Sequence, residues 1–126
     1  MKKIAIIGGG ISGLYFANLL EKYQKYEYKI FEKKSHFELD DGYGIQLSVN
    51  SIKLLNEIGF KNIEAHEISF PNKVNFYDAE SCKKISDIDI SKFNYENSRY
   101  TTLKRSTLIN FLLKIFQRII LFIIVN

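Results

Sequence analysis

The chain has 126 residues, a length that suits a single domain, and its formal net charge is +4. Its composition of 46% hydrophobic and 25% charged residues, with one proline, excludes an intrinsically disordered chain. The basic residues do not form a stripe with interleaved aromatics, so we expect no nucleic-acid partner.

The cysteine and histidine content also excludes several classes of protein. Cys82 is the only cysteine, which rules out a disulfide framework and favours a reducing, cytoplasmic location. His36, His66 and Cys82 lack the spacing of metal ligands, so no metal site is expected. The apolar stretch that follows the first lysines breaks into glycines within a few residues, unlike a signal peptide.

A glycine-rich turn near the N-terminus is the strongest signal in the chain. Residues 4–7 form an apolar run typical of a buried parallel strand, and Gly8, Gly10 and Gly13 follow at G-x-G-x-x-G spacing. In this motif the first glycine permits a tight turn, the second lets a pyrophosphate approach, and the third lets the helix pack on the strand. The pattern predicts a dinucleotide-binding turn.

The residues after the turn predict a helix that begins at Ile11 and Ser12. Its free N–H groups and positive dipole end would face an anion, so both residues are candidate cofactor contacts. Two faces are predicted. The buried face carries Gly13, Ala17 and Leu20, and the solvent face carries Asn18, Glu21 and Lys25.

A second strand is predicted at residues 28–31, and it ends in Glu32. An acid about twenty residues after the glycine motif is placed to accept hydrogen bonds from the ribose hydroxyls of an adenosine. The strand, helix, second strand and acid together favour nucleotide binding over a glycine-rich turn that binds nothing.

The next segment alternates loops with short elements. Residues 33–43 read as a loop, residues 45–47 as a short strand, and Ser48 or Asn50 as the cap of a helix that Gly59 ends. Residues 74–77 and 83–88 predict a β-hairpin joined by a polar turn. The aromatic residues around this hairpin could wall a substrate site, but core packing is the favoured interpretation. They are Phe70, Phe76, Tyr77, Phe93 and Tyr95.

A strand is predicted to feed a helix at Arg105, and the apolar face of that helix carries Leu108, Leu112 and Ile115. A cation is unfavourable at a helix N-terminus, which favours an anionic partner for Arg105 over a merely exposed charge.

These motifs together resemble the flavin-dependent aromatic-ring monooxygenases of the para-hydroxybenzoate hydroxylase fold, especially salicylate-hydroxylase-like members. The resemblance rests on the glycine motif, Glu32, residues 42–48, residues 58–60, and Arg105 with Leu108. It implies an α/β fold, namely the N-terminal part of a Rossmann-type FAD-binding domain with a β-hairpin excursion. It also implies FAD as cofactor, NAD(P)H as transient reductant, dioxygen, and a small aromatic substrate.

By the same resemblance, the FAD contacts are Gly8, Gly10, Ile11, Ser12, Gly13, Glu32 and Arg105. The family often places an arginine after the ribose-binding acid; here Lys33 is the candidate, although a lysine lacks the two-pronged contact of an arginine. No catalytic residue is assigned. The family's later Asp-Gly and Gly-Asp regions have no counterpart here, so we expect no hydroxylation by this chain alone. The alternative is a non-catalytic dinucleotide-binding module or a truncated remnant.

The resemblance divides residues 1–126 into a βαβ core with its following helix (1–59), a β-excursion (60–98), and a strand with a C-terminal helix and apolar tail (99–126). The apolar run at residues 119–125 allows three interpretations: a truncation or broken reading frame, a buried strand, or a membrane anchor. The anchor ranks last because a spanning helix needs about 20 apolar residues.

Overall fold

A computed structural model describes residues 2–34 and 43–114, and the backbone of residues 121–123. The chain divides into a first unit, Met1–Tyr43 with Lys104–Asn126, and a second unit, Gly44–Leu103. In chain order the elements are β1 (Lys2–Ile7), α1 (Ile11–Tyr23), β2 (Tyr26–Glu32), β3 (Gly44–Leu47), α2 (Val49–Asn56), β4 (Ile68–Ser69), β5 (Lys73–Tyr77), β6 (Lys84–Asp89), β7 (Thr101–Lys104), α3 (Arg105–Lys114) and β8 (Leu121–Ile123).

The first unit is built on a parallel sheet. Strands β1 and β2 pair in parallel from Lys2 with Tyr26 to Ile7 with Phe31, and α1 makes the crossover between them. Alternate side chains point to opposite faces, so Ile6 and Ile30 are both buried on the face that α1 covers. This β-α-β start and the antiparallel hairpin of the second unit confirm the predicted α/β class.

Strand β1 is less buried than its sequence predicts. The apolar run at residues 4–7 is typical of a strand covered on both faces, yet in this strand only Ile6 is buried and Ile7 is 81% exposed. The physical reason is that α1 covers one face of the sheet, whereas the side chains of β1 alternate between both faces.

Helices α1 and α3 pack against each other beside this sheet. Helix α3 buries Leu108, Ile109 and Leu112. Asn18 lies in the contact between the helices, where its Nδ2 donates to Leu14 O at 2.8 Å and to Leu112 O at 3.2 Å. The sequence prediction that Asn18 faces solvent was therefore wrong, since α3 covers that side of α1.

The apolar tail forms a strand where its backbone is described. Strand β8 pairs in parallel with the free edge of β2, from Ile30 with Leu121 to Glu32 with Ile123. This agrees with the strand interpretation for residues 121–123, while the rest of the predicted tail and the predicted helix position Ile115 lie outside the described residues. No helix in the described part of the chain is long and apolar enough to cross a membrane.

The second unit contains a three-stranded sheet in the order β3-β7-β4, helix α2, and the separate antiparallel hairpin β5-β6. The buried apolar side chains in this unit are Ile52, Leu55, Phe60, Ile90 and Leu103. The hairpin matches the predicted strand positions closely. The division of the chain at residues 59 and 98 stays a prediction.

The expectation that the aromatic residues around the hairpin pack into a core was wrong. All five, namely Phe70, Phe76, Tyr77, Phe93 and Tyr95, are exposed. For Phe76 and Tyr77, which lie on β5, the reason is that a hairpin of two strands has no further layer to cover its faces.

Candidate nucleotide-binding site

The glycine turn leaves β1 through a conformation that suits glycine. Gly8 has φ +100°, and its N–H donates to Phe31 O at 2.8 Å. A left-handed backbone disfavours residues that carry a Cβ. The turn is therefore tied to the carboxyl end of β2 at its first residue, which brings the end of each parallel strand to one edge of the sheet.

Gly13 is where the helix meets the turn most closely. A Cβ added at Gly13 would lie 2.1 Å from Gly8 O and 3.2 Å from Ile6 Cγ2. Only a glycine fits this contact without a backbone shift, so Gly13 sets how closely α1 approaches β1.

Gly10 is the N-cap of α1, and the space in front of it is open. Its backbone is extended (φ −75°, ψ −178°), and a Cβ built there would meet no atom of the described chain within 4 Å. Among the described residues, no side chain caps the helix, and its first turn holds no acid. Ile11 is half-buried and Ser12 is exposed at this end. The open N-terminus fits an anion, because helix N–H groups and the helix dipole both favour negative charge.

Glu32 lies beside the turn and is held by backbone N–H groups. Its Oε2 accepts from Gly9 N at 2.6 Å, and its Oε1 accepts from Lys34 N at 3.0 Å. These bonds, first that from Lys34 and then that from Gly9, lower the pKa of the Glu32 carboxyl, and desolvation opposes them weakly. Glu32 is thus an ionised carboxylate of fixed orientation at neutral pH.

The bond between Glu32 and Gly9 is a feature that the sequence analysis missed. The available signal was topological, because the carboxyl ends of two adjacent parallel strands meet at one edge. A carboxylate at the end of β2 therefore lies within reach of the turn that follows β1.

The two basic candidates are placed differently. Lys33 is exposed directly after β2. Arg105 is the first residue of α3; its backbone N–H donates to Tyr43 O at 3.1 Å, and its guanidinium lies 5.9 Å from the centre of the Tyr43 ring. The contacts predicted between these two residues and a cofactor stay predictions.

Comparison with protein families identifies an NAD(P)-binding Rossmann-like domain at residues 6–39, which contain the whole turn and Glu32. A curated relative, the FAD-dependent monooxygenase ntnA of a Nectria species, is 40% identical over 57 residues. That alignment covers 45% of this chain. Over this segment the chain is similar to FAD-dependent monooxygenases. The predicted family resemblance is thereby confirmed.

Solved structures of longer proteins share the fold of this chain. The 2,6-dihydroxypyridine-3-hydroxylase of Arthrobacter nicotinovorans superposes with a TM-score of 0.73 at 19% identity, covering 97% of this chain. A variant of HpxO from Klebsiella pneumoniae, solved in complex with FAD, gives a TM-score of 0.72 at 20% identity over 90% of this chain.

The chain spans a small part of these proteins. It corresponds to 7% of the length of ntnA, 28% of the pyridine hydroxylase and 29% of HpxO. The comparisons therefore concern only the part of these proteins that the chain covers, and they do not assign the activity of a whole protein to it.

Proposed function

We propose that the first unit binds the ADP portion of FAD. The observation that carries this proposal is the arrangement at one sheet edge, where an ionised Glu32 is bonded to Gly9 beside an uncapped helix N-terminus. The pyrophosphate and the adenosine ribose of the ADP portion each have a matching group in this arrangement. The open side of Gly10 admits the pyrophosphate, and Glu32 accepts from the adenosine ribose.

Three features of the site fit the ADP portion of FAD. Gly13 closes the strand–helix contact, Gly10 leaves space, and Glu32 has remaining acceptor capacity, since an ionised carboxylate offers about four lone-pair positions. Ile11 and Ser12 supply further N–H groups at the helix start, while Lys33 and Arg105 supply positive charge for the phosphates or their surroundings.

At the level of a whole protein, we propose that this portion serves a flavin-dependent monooxygenase that hydroxylates a small aromatic compound with NAD(P)H and dioxygen. The match to ntnA and the fold of the pyridine hydroxylase support this proposal. Bound FAD supplies the redox chemistry, while residues of this chain hold and orient its distal half. We propose no turnover by the 126-residue chain alone, and no nucleic-acid partner.

The second candidate function is an NAD(P)-binding module without catalysis. The Rossmann-like domain match favours it, because NAD and FAD share the ADP portion that this site contacts. Glu32 argues against NADP as the ligand of this site, since its carboxylate would repel a 2′-phosphate.

Replacement of Glu32 tests the ribose contact. Glu32→Ala is expected to weaken ADP binding by about 1–3 kcal/mol, because charged hydrogen bonds to the ribose are lost. Isothermal titration calorimetry measures the change. Glu27→Ala is the matched control, as Glu27 is an exposed acid on the same strand with an ion pair to Lys3. Equal ADP affinity in the wild type and Glu32→Ala would remove Glu32 from the site.

A further inference from the structure

A cavity lies entirely within the second unit. It has a volume of about 360 Å³, and helix α2, the short helix at Phe60–Asn62 and residues 96–101 contribute to its lining. Part of its wall is apolar, formed by Ile52, Phe60, Ile63, Ile68 and Phe70, and polar or charged residues form the rest. A cavity of this size suits a small organic molecule.

A guanidinium is oriented at the edge of this cavity. Arg99 stacks on the Phe70 ring with its Cζ 4.3 Å from the ring centre, and Thr101 Oγ1 donates to Arg99 O at 2.7 Å. Within the described residues, no carboxylate forms an ion pair with Arg99. The aromatic stack limits the motion of the cation and leaves its N–H donors available for an anion.

Asn56, the last residue of α2, contributes to the wall of the same cavity. Its Nδ2 donates to Asn97 O at 3.3 Å, which joins α2 to the segment that precedes Arg99. Its Oδ1 is buried and is therefore closed to a molecule in the cavity.

The charges around the cavity select the kind of anion. Arg99 and Lys61 contribute two positive charges and Glu96 one negative charge, which leaves a balance of +1. A singly charged carboxylate matches this balance, and the Glu96 carboxylate repels it less than it would repel a phosphate dianion.

We propose that this cavity binds a small organic monocarboxylate with an apolar body. The carboxylate pairs with Arg99, and the apolar body contacts the isoleucine and phenylalanine side chains of the wall. The proposal rests on the second unit alone and does not depend on nucleotide binding by the first.

The probe for the test is 4-methylpentanoate, which combines a carboxylate with a branched apolar chain. Titration into the full chain, followed by amide chemical shifts in NMR, should move signals of residues 56, 63 and 99 with a millimolar or tighter dissociation constant. Arg99→Gln should weaken binding at least about tenfold, in line with a lost charged hydrogen bond. Lys92→Gln, which removes an exposed charge outside the cavity, should leave binding unchanged.

Ligand controls on the wild-type chain keep the test independent of variant folding. Methyl 4-methylpentanoate lacks the anion, and acetate lacks the branched apolar chain, so each should bind at least about tenfold more weakly. Equal shifts from the acid and its ester would overturn the carboxylate assignment. An absence of shifts at millimolar acid would overturn the site itself.

Discussion

Gly13→Ala is expected to destabilise the first unit by at least about 2 kcal/mol, the scale of a forced overpacking. The new Cβ would lie 2.1 Å from Gly8 O, a backbone atom that cannot rotate away. Relief requires α1 to move from β1 or the turn to move from Phe31, to which Gly8 donates. The usual gain in helix propensity from glycine to alanine is only about 1 kcal/mol and does not offset this clash. Urea unfolding followed by far-UV circular dichroism measures the difference.

The matched control is Gly10→Ala, three residues earlier in the same turn. Gly10 has an extended backbone that alanine adopts, and its Cβ would meet nothing in the described structure within 4 Å. The unfolding midpoint of this control should stay near that of the wild type. If Gly13→Ala were as stable as Gly10→Ala, the close strand–helix contact would be incorrect.

Gly10→Val is expected to abolish nucleotide binding while the fold survives. The Cβ at this position has space in the free protein, but the branched side chain occupies the path by which a pyrophosphate would reach the N–H groups of α1. Displacing the phosphates from two or more such groups should reduce ADP affinity at least about 100-fold, since each charged hydrogen bond contributes about 1.5–3 kcal/mol.

Calorimetry with ADP, paired with circular dichroism to verify the fold, measures this effect. Gly10→Ala gives an intermediate case with a smaller obstruction. Wild-type ADP affinity in a folded Gly10→Val protein would place the phosphates away from this turn and would refute the proposed cradle.

The sequence was most informative where local chemistry decides the structure. Glycine spacing and hydrophobic period predict the order β1, turn, α1 and β2, because a tight turn and a close helix contact both require particular residues. Alternating residues around a polar turn likewise predict the β5-β6 hairpin. The sequence also predicts the start of α3 at Arg105, where the structure has it.

The failures concern contacts between distant parts of the chain. Asn18 is only 2% exposed, because α3 packs on α1 and Leu112 accepts a hydrogen bond from Asn18 across 94 positions of sequence. The hydrophobic period of α1 alone does not predict this contact. Exposure of Ile7 has the same cause, since the number of layers on a sheet is a tertiary property.

The candidate site shows the same division. The sequence predicts that Glu32 lies near the turn, but its bond to Gly9 depends on the parallel register of β1 with β2. The cavity that joins Asn56 to Arg99 depends on packing between segments more than forty positions apart in the numbering, for which no motif exists.

The most direct test of nucleotide binding is a competition titration on the wild-type chain. FAD is added and followed by its fluorescence, and then ADP, NADH or FMN is supplied as competitor. We predict that FAD binds, that ADP displaces it, and that FMN does not, because the glycine turn and Glu32 contact the ADP portion that FMN lacks. Displacement by FMN as effective as that by ADP, or binding of NADH by a chain that does not bind FAD, would contradict the account.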